Sequence, residues 1–576
     1  MTATLKDRAA QLQALRDSLR EGQQRLADWR GGTLAVSAVP GSGKSTGMAA
    51  GAAIAVAHYQ LHARKQLVMV TFTRSAAANL KAKVRQHLRA LKLPLNSFTV
   101  QTLHGLALNI ATRNPEVSGI NLETTTLVSP NQGNRLIRTA VEQWIGQCPG
   151  LYQRLTEGRG FDGEEAERLR RQSVLRTEVL PNLTYTVVHE AKSSGLQPVE
   201  LQQVAQTLVR RVPADGASDA EDYDVLTMAA GLYERYQGLL EEKGLIDYDD
   251  MILAALRTLA DPDIRALWQS RVFAVFEDEA QDSSPLQTRL LELLAADPDQ
   301  PDGLPNLVRV GDPNQAINST FTPADPVFFN QFCDRNRSRH RLATIDQAGR
   351  SSAVIMDASN AVLHWVNAHL REPAFRAQDI LPVPPDDPQP NANPGPIGKG
   401  VVLKKPKDIV RTVQLIAQQA VEHDRNDPTL TMAILVRENR QARYIRELLE
   451  DPERLGFDWE ETGIRIFDVG HRDRKTQIPL ETLRLLQFIE RPHSSDYLKG
   501  ALRVLVDRQC IPTQDLNPLT TAPEQFLYPG PLDPPFETTA AQSARRYCTG
   551  LLRARLELPP YHLIPFFGST LSYDQS

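Results

Sequence analysis

No run of consecutive apolar residues in this 576-residue chain approaches the ~20 that a membrane span requires, and Met1 to Leu19 carries too many charges for a secretory leader. Both absences predict a cytoplasmic protein with no membrane partner. Cysteine is scarce: Cys148, Cys333, Cys510 and Cys548 lie far apart and form no CxxC pair, which argues against a disulfide framework and against a zinc site. Net positive charge is lacking too. At a formal charge of −4 the overall field offers no attraction to nucleic acid, so any such partner must be held in a local groove. What the chain does have is size. With 41% apolar and 23% charged residues it can bury several cores and is expected to divide into about three to five domains.

The strongest local signal is GGTLAVSAVPGSGKSTGM, residues 31–48. A short apolar run, Leu34, Ala35 and Val36, breaks into Pro40-Gly41-Ser42-Gly43, and Lys44-Ser45-Thr46 opens an alanine-rich segment that reads as a helix. Strand, glycine loop and helix in this order form a phosphate cradle. Glycines let backbone N–H groups turn inward, and the helix N-terminus adds partial positive charge. The stretch Ala38, Val39, Pro40, Gly41, Ser42, Gly43, Lys44, Ser45 and Thr46 fits a P-loop with alanine at its first position. Lys44 would meet the β- and γ-phosphates, and the Ser45 hydroxyl would ligate Mg²⁺.

Upstream, residues 4–28 carry Leu12, Leu15, Leu19 and Leu26 at helical spacing and lead straight into the P-loop strand. Gln23 on this entry helix has an amide able to read both edges of an adenine, although such a residue is more often solvated. Downstream, Gln66 to Thr71 is a second strand, and Thr71-Phe72-Thr73-Arg74 is its polar turn before another helix. Phe98 to Gln101 is a third strand, ending at Thr102-Leu103-His104. In an open parallel sheet ligands gather at such carboxyl-end turns. Thr71, Phe72, Thr73, Arg74, Thr102 and His104 therefore point toward the ligand edge as candidate phosphate contacts, with Phe72 able to stack on a base. Helix capping by Thr73 and Thr102 with Phe72 in the core is the structural alternative.

Residues 112–244 are polar, helix-rich and interrupt the strand-helix alternation, as an inserted helical domain would; Lys192 within them reads as solvated or as a phosphate contact. The alternation resumes at LIDYDD and then at Val272 to Phe276, a strand running into Glu277-Asp278-Glu279-Ala280-Gln281-Asp282. A P-loop needs a carboxylate at the end of a neighbouring strand to hold Mg²⁺, and Asp278 is placed for that; Glu279 beside it would polarise the attacking water. One more strand, Leu307 to Val310, ends in GDPNQ, where Gln315 would sense the γ-phosphate. Leu381 to Pro396 is a proline-dense stretch expected to be an extended surface connection without packing.

Taken together, AVPGSGKST, VTFTRSAAANL, TLHGLAL, LIDYDD, DEAQD, GDPNQAI, DQAGRSS and AILVRENRQARYI resemble the ordered motifs of UvrD/Rep/PcrA-type superfamily 1 DNA helicases, from about Leu19 to about Leu486. The resemblance implies an α/β fold with a P-loop NTPase, RecA-like parallel-sheet core, helical insertions and an incomplete second RecA-like core. It further implies ATP and Mg²⁺ as cofactors, and 3′-to-5′ movement on single-stranded DNA with duplex opened ahead, alongside repair or replication proteins. Gln23 would read adenine, Gln315 would couple the two sites, and Arg350 would reach the γ-phosphate from the second core. The contacts of Thr71, Phe72, Thr73, Arg74, Thr102 and His104 would be to DNA. The expected divisions are 1–111 and 245–335 for the first core, 112–244 for its insertion, 336–455 for the second core and 456–576 for a partial second insertion.

Several positions depart from the family pattern. Gly349 stands where a base-stacking tyrosine is usual, Thr46 replaces an arginine, and Asn318, Thr320 and Phe321 replace a Tyr-Trp-Arg run. The two closing motifs of the family, TLHxxKGLE-like and YVxxTRA-like, do not occur after Arg350. These features lead to the expectation of a truncated chain or fragment, and to an alternative in which it binds nucleotide and DNA with weak or no ATPase and no unwinding.

Overall fold

The computed structural model describes residues 2–121, 124–157, 165–211, 224–298, 303–316, 325–457, 459, 462–466, 474–508, 510–512, 514–530, 538–557, 563, 566 and 567. Asn318, Thr320 and Phe321 lie outside the described residues. The chain forms two compact units, Met1–Val402 and Leu403–Ser576.

Ten strands occur among the described residues of the first unit: β1 Leu34–Ala38, β2 Gln66–Thr71, β3 Phe98–Thr102, β4 Thr126–Leu127, β5 Leu245–Ile246, β6 Val272–Asp278, β7 Leu307–Gly311, β8 Leu342–Ile345, β9 Gln347–Ala348 and β10 Leu381–Pro382. Six of them form one sheet in the order β3-β2-β6-β7-β1-β8, and every pairing in it is parallel. Strands such as LAVSA and QLVMVT are apolar almost throughout because both faces of a parallel sheet are covered by helices. Alternation along each strand divides these residues between two cores. Val36, Leu67, Met69 and Phe276 pack on one face with the helices Lys44–His58 and Arg74–Ala90. Ala35, Val68, Val70 and Val275 pack on the other with the helices Leu103–Thr112, Tyr248–Ala260 and Pro285–Ala295. This is the doubly wound parallel arrangement of a RecA-like core.

The helix Lys44–His58, KSTGMAAGAAIAVAH, is buried along nearly its whole length, and small residues allow that. A methyl added at Gly47 would stand 3.1 Å from Gln23 Cγ, and one at Gly51 would stand 3.2 Å from Leu26 Cγ. The entry helix Glu21–Ala27 therefore lies directly on the P-loop helix.

Four features differ from the sequence expectation. First, β8 pairs with β1 through Ala35↔Leu342 to Ala38↔Ile345, so the first sheet extends past residue 335. A short strand beyond a helix carries no local mark of which sheet it joins. Second, Lys192 is neither solvated nor on a phosphate track. Its side chain is 0% exposed, and Nζ donates to Asp247 Oδ2 at 2.7 Å and to Asp250 Oδ1 at 2.8 Å. Helix Leu180–Ser193 of the insert is thereby joined to the start of helix Tyr248–Ala260. Third, the proline-dense stretch lies on the surface as expected, with none of residues 381–396 buried, but it is anchored by hydrogen bonds: Leu381–Pro382 pairs with Gln347–Ala348, and Asn393 Nδ2 donates to Ala348 O at 2.7 Å and Ser351 O at 2.9 Å. Proline removes donors from a segment but leaves its carbonyls and neighbouring polar side chains free to anchor it.

The fourth concerns the second unit, which is helical among its described residues. Its cores gather Val413, Ala417, Leu448 and Trp459 in one place and Leu485, Phe488, Leu502, Phe526 and Leu551 in another. Ala433–Val436, the start of the AILVRENRQARYI segment that resembles part of a second core, is exposed and lies in no strand. A strand apolar on both faces needs neighbours on either side, and none is present among the described residues of that unit.

Candidate nucleotide and DNA site

The carboxyl ends of β1, β7 and β6 lie side by side, and each carries polar groups into one region. After β1 the chain runs through Pro40 and Gly41 (φ +74°) to Gly43 (φ +79°), which sits at the N-cap of the helix Lys44–His58. Positive φ at two positions within three residues is the conformation that glycine adopts without strain. Ser42 is buried, and its hydroxyl donates to Val39 O at 2.7 Å, pinning the loop from inside. Ala38 and Val39 are buried, Pro40 and Ser45 half-buried, and Thr46 exposed. Lys83 Nζ donates to the Thr46 hydroxyl at 3.3 Å, bringing a cation to the position where the family pattern has an arginine.

Across the cleft, Asp278 closes β6 and Glu279 follows it with φ +57°. Lys44 Nζ lies 3.4 Å from Glu279 Oε2, so the loop lysine and the acid pair, 235 positions apart in sequence, meet at one sheet edge. Gln281 orients the acid: its Nε2 donates to Glu279 Oε2 at 2.9 Å, and its Oε1 accepts from the Asp312 backbone N–H at 2.9 Å. Asp312 follows β7, between the other two strand ends. Its Oδ1 accepts from Asn314 N at 3.0 Å, while Oδ2 is buried with no hydrogen-bond partner. Burial, then the neighbouring Glu279 charge, pushes Asp278 up to about 6 against the pull of Lys44. Asp312 is pushed up to about 6, again chiefly by burial, with Lys44 opposing. Two buried carboxyls with raised pKa and one orphaned oxygen, beside a lysine and a serine hydroxyl, are a donor set that suits a hydrated Mg²⁺.

Asp312 and Gln281 lie within GDPNQ and DEAQD but are not among the candidate residues of the sequence. The rule that selected Asp278, a carboxylate at a strand end near the P-loop, applies equally to Asp312. Gln281 had no such signal, because its role depends on contacts across strands.

The remaining candidates divide by environment. Gln23 is buried against the loop, with Nε2 donating to Ser42 O at 3.0 Å and Oε1 accepting from Arg20 N at 3.1 Å. Both ends of the amide that was expected to read adenine are thus engaged within the protein. Arg350 is exposed beside the P-loop, where a methyl on Gly41 would stand 3.0 Å from its Cβ. It reaches this position on a turn after β8 and β9, within the first unit. Gln315 is exposed just past Asp312.

Along the β2 and β3 ends, Thr71 is buried and its hydroxyl donates to Thr73 O. Thr73 and Thr102 cap helices, accepting from Ala76 N and Gly105 N respectively. Phe72 is 44% exposed rather than in the core, and Arg74 beside it is exposed. His104 is half-buried against Tyr248, ring centroids 5.1 Å apart, and burial lowers its pKa, with Asp249 opposing. Val70, Thr71, Phe72, Leu103, His104, Asp278 and Glu279 line one small cleft, which joins the candidate DNA contacts to the acid pair.

The chain is similar to the ATP-dependent DNA helicase SRS2 of Saccharomyces cerevisiae, at 25% identity over 63% of this chain and 28% of that protein. It is similar to the ATP-dependent DNA helicase PcrA of Staphylococcus aureus at 25% identity, over 41% of this chain and 29% of PcrA. The chain thus aligns with less than a third of the length of either relative. Residues 19–336, more than half of the chain, match the model of the UvrD/REP helicase N-terminal domain. With its P-loop, DEAQD and GDPNQ turns on adjacent ends of one parallel sheet, the chain belongs to the UvrD/REP helicase family.

Proposed function

We propose that this chain is an ATP-driven DNA motor of the UvrD type, moving 3′ to 5′ on single-stranded DNA and coupling Mg²⁺-ATP hydrolysis to strand separation in repair or replication. The observation that carries the reading is the 3.4 Å approach of Lys44 to Glu279, with Asp278 and Asp312 at the adjoining strand ends. On this reading the Gly41–Lys44 backbone and the Lys44 ammonium bind the triphosphate, and residues 403–576 belong to the second half of the motor. Ser45 and Asp278 would hold Mg²⁺, which when bound supplies positive charge against the β- and γ-oxygens. Glu279, kept in place by Gln281, takes the proton of the attacking water, and Lys44 stabilises charge on the γ-phosphoryl oxygens as it develops. Arg350 and Gln315 flank the same phosphate. Phe72, Arg74 and His104 offer the strand a stacking ring, a cation and a neutral imidazole at the mouth of the acid cleft.

The test is ATP turnover with and without single-stranded DNA, on this chain and on Lys44→Ala. DNA-stimulated turnover that Lys44→Ala abolishes is the expected result. Tight DNA and nucleotide binding without any stimulation would instead favour the reading of a binding protein without motor activity.

A further inference from the structure

The proline-dense strap Val383–Asn393 is fastened to the P-loop through one side chain. Arg20, just before the entry helix, places its guanidinium where four segments converge, and all five of its N–H donors are engaged. Nε donates to Asp387 Oδ2 at 2.7 Å, and Nη2 donates to Asp387 Oδ1 at 3.0 Å and to Gln389 Oε1 at 2.8 Å. Nη1 donates to the carbonyls of Ser42 and Gln347, both at 3.4 Å. The pair is well shielded, with side chains 11% and 4% exposed. Gln389 Nε2 in turn donates to Gly349 O at 3.1 Å. Only glycine at 349 leaves room for this: a methyl there would stand 2.4 Å from Gln389 Oε1 and 2.9 Å from Arg20 Nη2.

Ser42 O also accepts from Gln23 Nε2 at 3.0 Å. Two donors thus hold one P-loop carbonyl, and the N–H groups of Gly43 and Lys44 next to it are the ones a phosphate would meet. One of those donors, Arg20, is positioned by residues of the strap. A fork of this kind cannot be replaced by lysine without losing most of its contacts.

We propose that Arg20 is a positioning residue that couples the strap to the P-loop, so that docking of the strap and binding of a nucleoside triphosphate reinforce each other. This inference rests on the reading that the P-loop binds such a nucleotide. Coupling of this kind is reciprocal: what the strap does for nucleotide affinity, nucleotide must do for strap docking.

The experiment combines fluorescent ATP-analogue binding with hydrogen exchange of the strap, on the chain and on Asp387→Asn, Gln389→Ala, Arg20→Lys and Lys44→Ala. Nucleotide is expected to slow exchange at the amides of Gln389 and Asn393. Asp387→Asn is expected to weaken nucleotide affinity about tenfold and to abolish that protection, with Gln389→Ala about threefold in the same direction. Arg20→Lys should behave like Asp387→Asn although its charge is kept. Asp387→Glu, which keeps the carboxylate, is expected to retain both readouts, and an unchanged thermal midpoint in Gln389→Ala would exclude a general loss of fold. If nucleotide protects the P-loop helix but not the strap, or if Asp387→Asn binds like the parent, the coupling is refuted while the nucleotide site stands. If nucleotide protects neither, and Lys44→Ala is indistinguishable from the parent, the nucleotide reading falls and the coupling falls with it.

Discussion

Two lysines in the first unit each face a cluster of acidic residues, and the clusters differ in contact distance and exposure. Lys192 is 0% exposed, its ammonium is within 2.8 Å of two carboxylates, and Tyr236 covers it at 5.5 Å from the ring centroid. Burial would lower its pKa, but Asp247 and Asp250 more than offset this and raise it. Lys44 is 12% exposed and has a single contact, at 3.4 Å, to a Glu279 that is 38% exposed. Its other acidic neighbours, Asp278 and Asp312, keep raised pKa values of about 6 that the lysine does not overcome, as Asp250 does beside Lys192, so the two clusters part in contact and exposure rather than in titration. The Lys192 cluster is complete within the protein. The Lys44 cluster has one long contact to a partly exposed carboxylate and leaves Asp312 Oδ2 without a hydrogen-bond partner. Identical residue types thus make a structural joint in one place and a site in the other, and the difference lies in how fully each charge is matched.

The comparison can be broken most forcefully at Lys44. Lys44→Ala is expected to reduce DNA-stimulated ATP turnover by about a hundredfold or more while leaving the thermal midpoint nearly unchanged. Lys192→Met should do the reverse. It strands two buried carboxylates, which costs about 3–5 kcal/mol, seen as a lower denaturation midpoint with nucleotide affinity retained in the folded fraction. Equal stability losses in the two variants would erase the distinction.

A finer probe uses pH. Asp278 and Asp312 have folded-state values near 6 against an ordinary 3.8, so the folded protein holds their protons more tightly than the unfolded chain does. Their contribution to stability is therefore full below about pH 4 and is lost as pH rises through about 6. Asp312→Asn removes one of these losses and should raise stability at about pH 8 by roughly 1–3 kcal/mol while changing little at about pH 4, as read from denaturation at the two values. An unchanged difference between the two pH values would refute the assignment. The smallest effect is expected at the rim of the Lys44 site: Phe72→Ala should weaken single-strand binding by about 1 kcal/mol without affecting nucleotide affinity in the absence of DNA. A loss confined to nucleotide binding would move Phe72 out of the DNA path.

Much of the first unit was legible because its chemistry is written in contiguous stretches. PGSGKS specifies a turn of defined φ and a helix start, and VFAVFEDE specifies a two-faced buried strand ending in acid, so both ends of the Lys44 contact could be named from local pattern. Lys192 was not legible, since HEAKSSGLQP looks like a solvated turn until residues 247 and 250 are brought against it. Arg20 escaped for the same reason, its partner lying 367 positions away. The strap misled because proline density was read as an inability to pack, whereas its Asp387, Gln389 and Asn393 supply the anchors. Gln23 carries an amide suited to adenine, but the sequence could not reveal that both ends of that amide are engaged by Ser42 and Arg20.

The left-handed backbone at Glu279 has a consequence for how such a site arises. Along a regular strand, adjacent side chains leave on opposite faces, so an Asp-Glu dipeptide would send its two acids apart. A single residue at φ +57° interrupts that alternation, and such a conformation costs a non-glycine side chain about 1–2 kcal/mol. The fold stores the convergence of the pair in its main chain. Grafting the dipeptide alone onto another strand end would transfer the letters and leave behind the geometry that makes them act together.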